Sequence, residues 1–520
     1  MRYLFPLMLL ATALVCGGCS HVSSIGDAGP DADTDIDTDT DTDTDTDTDS
    51  DTDTDTAFDG DPWHTFYGSD AGDYGYDIVV DGSGNIVVSG YSPDSWDGPG
   101  GESSLHAHSG DGSDILVAKL APDGSYLWHT FYGSPDSSDS GMGVALDGSG
   151  NIYVTGSSRA SNWHGPGGES PLFPCIGEAS LFVLSLEPNG EYRWHTFYGG
   201  NPEELDGTWA DSIALDGSGN LYVAGSGSVS WYGPSGELPL NPYVGDGEGA
   251  GDRDFVILSL DSAGSYRWHT FYGGDGLNTI CSLVVDGSGN TIMLGRSFNP
   301  WDGPGGESPL LAHPGAAHPS ASIIALESDG SYRWHTFHGG IYAHSRNRCL
   351  ALDGSGNIYV TGSGGWPSWN GPGGELPLHD AEGVVVLKSD PNGVYQWHTF
   401  QGPATGACTG HGIALDGSGN IFVAGISSNY PLGPGGESPL HPYSGMTDVL
   451  VMKLDATGAY QWHTLYGSDG GDFGVSIALD GSGGIITTGI TPKTWNGPGG
   501  APLHDHSGAE DIFIIKLADI

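Results

Sequence analysis

Residues 63–68 read WHTFYG and residues 511–517 read DIFIIKL. The first is an aromatic strand ended by glycine. The second is an apolar strand of a kind that, in every earlier unit of the chain, is followed by a copy of the first. The tripeptide WHT begins at Trp63, Trp128, Trp194, Trp268, Trp334, Trp397 and Trp462, in steps of 63 to 74 residues. Between copies three landmarks recur in fixed order: an apolar run ending in DGSGN, a GPGG-type loop, and an apolar run like DIFIIKL. The body therefore opens on the fourth strand of a unit and stops after the third strand of the last one. A linear stack would gain nothing from that offset. In a ring, residues 63–68 can pair with Asp511–Leu517, closing the final unit with both ends of the body and removing a free edge.

The DGSGN element starts at Asp81, Asp147, Asp216, Asp286, Asp353, Asp416 and Asp480, with Gly484 replacing the final Asn in the last copy. Two alternating apolar runs flanking Gly and Asn predict a hairpin whose Asp side chain caps the turn. Oxygen ligands at positions one, three and five also begin a calcium loop. The Gly and distant Glu that would complete such a cage are missing, so turn chemistry is the reading. A second hairpin joins runs like DVLVMKL to AYQWHTLYG through DATG, DPNG or APDG. Each repeat thus holds four strands, and four-stranded units repeated radially are propeller blades. Residues 58–520 are predicted to form an all-β, seven-bladed β-propeller closed by its N- and C-terminal strands.

The segments LDGSGNIYVTGSS and YQWHTFQG resemble the SBBP family of bacterial β-propeller repeats, and the resemblance runs from Trp63 to Leu517. It implies a propeller on an exported bacterial protein. The family carries no single activity or catalytic set to transfer, and the GPGG loops are longer than its basic pattern.

The first 18 residues have the layout of an export signal: Arg2, an apolar run from Tyr3 to Val15 too short to span a bilayer, then small residues. Gly17, Gly18 and Cys19 resemble a bacterial lipobox, with Cys16 in place of the usual Leu. Cys19 is accordingly the expected lipidation site, and Ser20 after it matches the family's outer-membrane sorting pattern. Residues 19–57 form an acidic tether. From Asp31 to Asp55 every odd position is Asp, mostly alternating with Thr. Repelling carboxylates without apolar content keep this tract extended and solvated, with a reach of up to ~85 Å.

The net charge is -52. Leaving out the thirteen Asp of the tract, 53 acids still face 14 Lys and Arg, so the body itself is acidic. Nucleic acid and anionic lipid surfaces, which need a basic face, are excluded as partners. No G-x-S-x-G elbow, HExxH motif or phosphate-cradling Gly-Lys loop is present.

If the strand before DGSGN is innermost, both hairpin turns face one side of the disc and the GPGG loops the other, around the channel mouth. The loops read W-x-GPGGE-x-PLH and supply the candidate ligand-binding residues: Trp96, Glu102 and His106; Trp369, Glu375 and His379; Tyr430, Glu437 and His441; Trp495 and His504. The histidines fall in blades 5, 6, 7 and 1, which are contiguous in a closed ring. Aromatic rings beside carboxylates suit sugars, and Glu with His could take a divalent cation. Against this, each loop could keep the same residues because it packs its own blade the same way. The WHT histidines read as structural. Of the cysteines after Cys19, Cys349 and Cys408 enter successive blades and are the candidate disulfide.

The resulting expectation is a monomeric, non-enzymatic, lipid-anchored surface protein presenting a binding face to an extracellular glycan or protein, with no evident cofactor. The alternatives are a polysaccharide hydrolase or lyase working at the channel mouth, and a structural surface component. An enzyme should break the seven-fold pattern with a unique polar set on a few loops.

Overall fold

A computed structural model describes residues 62–159, 163–176, 179–200, 207–245, 252–315, 319–342, 348–364, 369–402, 408–429 and 431–519. The signal, Cys19, the tether and Tyr430 lie outside them. The described chain forms seven antiparallel sheets, each numbered here as a blade. Blade 1 runs outward through Tyr74–Val80, Ile86–Ser92, Asp114–Leu120 and Tyr126–Tyr132. Blades 2 to 6 repeat this order. In blade 5 the inner position is shared by two short pieces, Ile341–Tyr342 and Leu350–Leu352.

Blade 7 contains Phe473–Leu479, Gly484–Thr491 and Asp511–Ala518, and its outer strand is Trp63–Tyr67. The register pairs Trp63 with Lys516, Thr65 with Ile514 and Tyr67 with Ile512. The phase of the repeat therefore does what it predicts: both ends of the body complete one sheet, and the ring has no unpaired end strand.

The DGSGN turns show why their residues recur. In blade 1, Asp81 Oδ1 accepts from the backbone N–H of Ser83 and Asn85 at 2.9 Å each, and Oδ2 accepts from the Asn85 amide at 2.9 Å. Gly84 takes φ 82°, a conformation that strains any residue with a Cβ. Lys119 reaches Asp81 Oδ2 at 3.0 Å and ties this turn to the third strand.

Blades pack face to face through the β-branched and aromatic residues that alternate along their strands. One junction is typical: Ile115, Val117, Val144, Val154, Phe182 and Leu184 from blades 1 and 2 share a buried cluster. Six inner strands carry a bulge at the residue five places before the DGSGN Asp, for example between Gly75 and Asp77 and between Ala210 and Ser212. A bulge frees one residue from pairing and re-aims its side chain. The freed residues, among them Tyr76, Met142, Asp211 and His411, differ from blade to blade.

Candidate functional site

The GPGG loops do not stay on the disc face around the channel. Each turns outward and lays its second half along the outer strand of its own blade. In blade 1, Leu105 N donates to His129 O at 2.9 Å and Phe131 N donates to His106 O at 3.2 Å. The same pair of bonds recurs in all seven blades, ending with Leu503 N to His64 O at 2.9 Å and Phe66 N to His504 O at 3.3 Å. The outer strand is thereby covered and the rim loses its free edge. This corrects the expected location: the loop residues line the circumference, because an unpaired outer strand is a stronger backbone partner than solvent at the channel mouth.

The WHT histidine anchors this arrangement. His129 Nε2 lies 3.0 Å from the Trp96 carbonyl, and Nδ1 lies 2.7 Å from Tyr126 Oη. A carbonyl only accepts, so Nε2 carries the proton and Nδ1 accepts from the tyrosine. Trp96 stacks on the imidazole with ring centroids 3.8 Å apart. Burial pushes the His129 pKa down to about 4, so the ring is neutral at neutral pH. His195, His269, His335 and His398 repeat both the stack and the carbonyl contact. In blade 7 His64 stacks on Trp495 at 4.7 Å. The candidate tryptophans Trp96, Trp369 and Trp495 therefore each hold a loop to a strand.

The candidate glutamates close their own turns. Glu102 Oε2 accepts from Gly100 N, Glu375 Oε2 from Gly373 N and Glu437 Oε2 from Gly435 N, each at 2.8 Å. Their side chains remain at the surface. The candidate histidines His106, His379 and His441 place Nδ1 at 2.6 to 2.8 Å from the carbonyls of Phe131, Phe400 and Leu465 in their own outer strands.

Sequence reasoning grouped Trp, Glu and His within one loop. In space the partners belong to neighbouring blades. Tyr67, at the end of blade 7's outer strand, lies 5.5 Å from His504 of its own blade, and 6.0 and 6.1 Å from Trp96 and Tyr126 of blade 1. Burial depresses the His504 pKa, while the nearby Glu102 carboxylate of blade 1 opposes that shift. One blade onward His106 stacks on Tyr132 at 4.9 Å, beside Trp163 and Tyr192 of blade 2. His441 stacks on Tyr466 at 4.8 Å, beside Trp495.

At one junction these neighbours line a groove on the rim. Between blades 2 and 3 it has a volume of about 360 Å³ and is lined by Leu172, Phe173, Tyr198, Glu237 and Tyr266 among others. Leu172 is 55% exposed there. It also packs on Gly264 of blade 3, where a Cβ would lie 2.6 Å from its Cδ1. The tyrosines at the end of WHTFY lie beneath the rim and are themselves buried, Tyr132 at 1% and Tyr198 at 2% exposure. Among the described residues no three His, Cys, Asp or Glu side chains converge as a metal cage would require.

The channel presents a different surface. A cavity of about 590 Å³ on the axis is lined by all seven inner strands, with residues such as Leu146, Leu215, Leu352 and Leu479. Arg348 also lines it, with Nε 2.6 Å from Asp77 Oδ1 and Nη2 2.6 Å from the Val144 carbonyl.

The bridge expected between Cys349 and Cys408 is not formed. Cys349 lies four residues before its DGSGN Asp and Cys408 eight before its own. That offset separates them by about 13 Å along the strand direction, beyond disulfide reach. Cys408 Sγ instead sits 2.9 Å from Ser427 Oγ.

Fold and rim together define a closed seven-bladed propeller with aromatic side chains clustered at several blade junctions. Residues 127–162 and 396–433 match the family model described as SBBP, a beta-propeller repeat. The chain is 21% identical over 498 residues to an uncharacterized WD repeat-containing protein of Acanthamoeba polyphaga mimivirus, covering 80% of this chain and 35% of that protein. The chain thus spans about a third of the length of that relative. Similar solved structures include a protein of unknown function from Dyadobacter fermentans, with TM-score 0.36, 12% identity and coverage of 88% of this chain and 98% of the other. Another is the phage phi92 endosialidase, with TM-score 0.37, 10% identity and coverage of 89% and 70%.

Proposed function

We propose that this protein is an exported, lipid-anchored, non-enzymatic binding module that takes extracellular glycan into the grooves between neighbouring blades at its rim. The observation that carries the reading is the groove between blades 2 and 3, where the half-buried Phe173 and Tyr266 stand beside the exposed Glu237 carboxylate, over the buried Tyr198. Aromatic faces take the apolar faces of pyranose rings, and a carboxylate accepts from their hydroxyls. Repetition around the ring offers several weak sites at once, so a polymer with repeating units would gain avidity without any single tight contact. The tether, with Cys19 as its lipidated end, would hold such a disc clear of a membrane. A hydrolase or lyase would require one set of polar residues unlike the others, whereas the loop Glu and the Tyr two residues before WHT recur together in blades 1 to 6.

The test is a screen of the purified protein against bacterial and host glycans, with and without calcium. A variant carrying alanine at Glu102, Glu169, Glu237, Glu307, Glu375 and Glu437 should bind at least about tenfold more weakly, as hydrogen bonds to charged groups are worth ~1.5–3 kcal/mol each. It should fold, since blade 7 already has Ala501 at the corresponding place in a loop one residue shorter. Retention of only a protein ligand, or glycan binding indifferent to all six substitutions, would remove this reading.

A further inference from the structure

We propose that Cys281 and Cys349 become joined by a disulfide when the chain folds in an oxidising environment, stapling the inner strands of blades 4 and 5. Cys281 is five residues before its DGSGN Asp and Cys349 four before its own, so the two stand at nearly the same level on adjacent strands. They belong to one buried cluster, at 1% and 0% exposure, and their thiols are hydrogen-bond partners.

Neighbouring inner strands elsewhere in the ring approach closely enough at this level for one side chain to bridge them. Val144 N donates to Asp77 Oδ2 at 2.9 Å between blades 1 and 2, and Leu283 N donates to Ser212 Oγ at 3.1 Å between blades 3 and 4. Between blades 5 and 6, Ile413 N donates to the Arg348 carbonyl at 2.9 Å. A two-sulfur link at the junction of blades 4 and 5 spans a comparable gap. It would also fix the residue after Arg348, whose side chain crosses the channel.

Burial pushes the Cys349 thiol well above its usual pKa, so it is unreactive in the finished fold. The bond must form before blade 5 seats on blade 4. One cysteine, as thiolate, attacks the disulfide of a small-molecule or protein oxidant and expels one thiolate. The second cysteine then attacks the resulting mixed disulfide and expels the other. Two protein thiols are oxidised to one S–S bond, and one oxidant disulfide is reduced to two thiols. Each cysteine gives up its proton to solvent or to the departing thiolate.

The experiment uses the full chain, reduced and denatured, then refolded in a buffer of reduced and oxidised glutathione, alkylated and digested for mass mapping. The expected result is a Cys281–Cys349 cross-linked peptide with Cys175 and Cys408 alkylated. Oxidised protein should melt ~5 °C above both the reduced protein and a C281S variant, as cross-linking a long loop in so large a body implies. Alkylation of both Cys281 and Cys349 in protein refolded under these conditions, or a cross-link from either to a different cysteine, overturns the proposal. So does an oxidised form that melts no higher than C281S.

Discussion

Arg348 of blade 5 reaches across the channel to Asp77 of blade 1, with Nε 2.6 Å from Oδ1. Asp77 is almost fully buried and gathers further partners: the N–H of Val144 at 2.9 Å and the Ser476 hydroxyl at 2.9 Å. The pair therefore ties together blades 1, 2, 5 and 7 at the axis, where no sheet hydrogen bonds run. Arg348 is also among the residues that line the axial cavity.

Removing one member of a buried pair leaves the other charge uncompensated, at a typical cost of ~3–5 kcal/mol. Arg348 keeps about a third of its side chain in solvent (32%), which lowers the expectation for this pair to ~2–3 kcal/mol. Chemical denaturation of D77N and R348M should each show a loss of that size, and the double variant should lose less than their sum. Additive losses would mean that the two side chains do not act as a unit.

Deleting residues 58–68 removes the outer strand of blade 7 and leaves Asp511–Ala518 as an open edge. The aromatic cluster of Trp63, Tyr67 and their neighbours in blade 1 goes with it. The truncated protein should melt at least ~5 °C lower and associate at concentrations where the intact protein is monomeric, as measured by calorimetry and light scattering.

The ring closure, the four-strand blade and the structural role of the WHT histidines were all legible in the sequence, because each follows from periodicity and turn chemistry. The course of the GPGG loops was not. Whether Leu105 and His106 remain on a disc face or pair with His129 and Phe131 depends on a strand 25 residues away, and nothing in the loop itself announces that partner. The same limit applies to Arg348. Its target Asp77 is four blades away along the chain. The cysteines show the third case: being in successive blades suggested Cys349 with Cys408, whereas position within the strand selects Cys281.

His195 should be intolerant of a phenylalanine substitution although both side chains are planar aromatic rings. Tyr192 would lose its acceptor at 2.8 Å, and the Trp163 carbonyl its donor at 3.0 Å. A loss of ~1–3 kcal/mol in denaturant unfolding is expected, with faster proteolysis in the loop around Trp163.

Stability should depend on pH between about 4 and 7, where two sets of buried groups oppose each other. Burial raises the carboxyl pKa of Asp73 to about 6 and of Asp139 and Asp254 to about 7, against 3.8 for an exposed Asp. Their contribution is complete below 3.8 and is lost as pH rises through 6 to 7. Burial lowers His129, His195, His269, His338 and His411 to about 4 from 6.5. Their contribution is complete above 6.5 and is lost as pH falls toward 4. Melting temperature should therefore rise from pH 4 to about 7, less steeply than the histidines alone would give, and level off from there to pH 9; D139N should steepen the rise between pH 4 and 7 and leave the plateau flat. A D139N curve parallel to that of the parent between pH 4 and 7 would show that Asp139 does not titrate in this range.

The most direct test of the rim as the binding surface is a crystal of the protein soaked with the saccharide that binds best in the glycan screen. Sugar density is expected in the grooves between blades, with one ring against the half-buried tyrosine two residues before WHT and within hydrogen-bond distance of the same blade's glutamate. Density confined to the axial channel, or to the DGSGN turns, would contradict it.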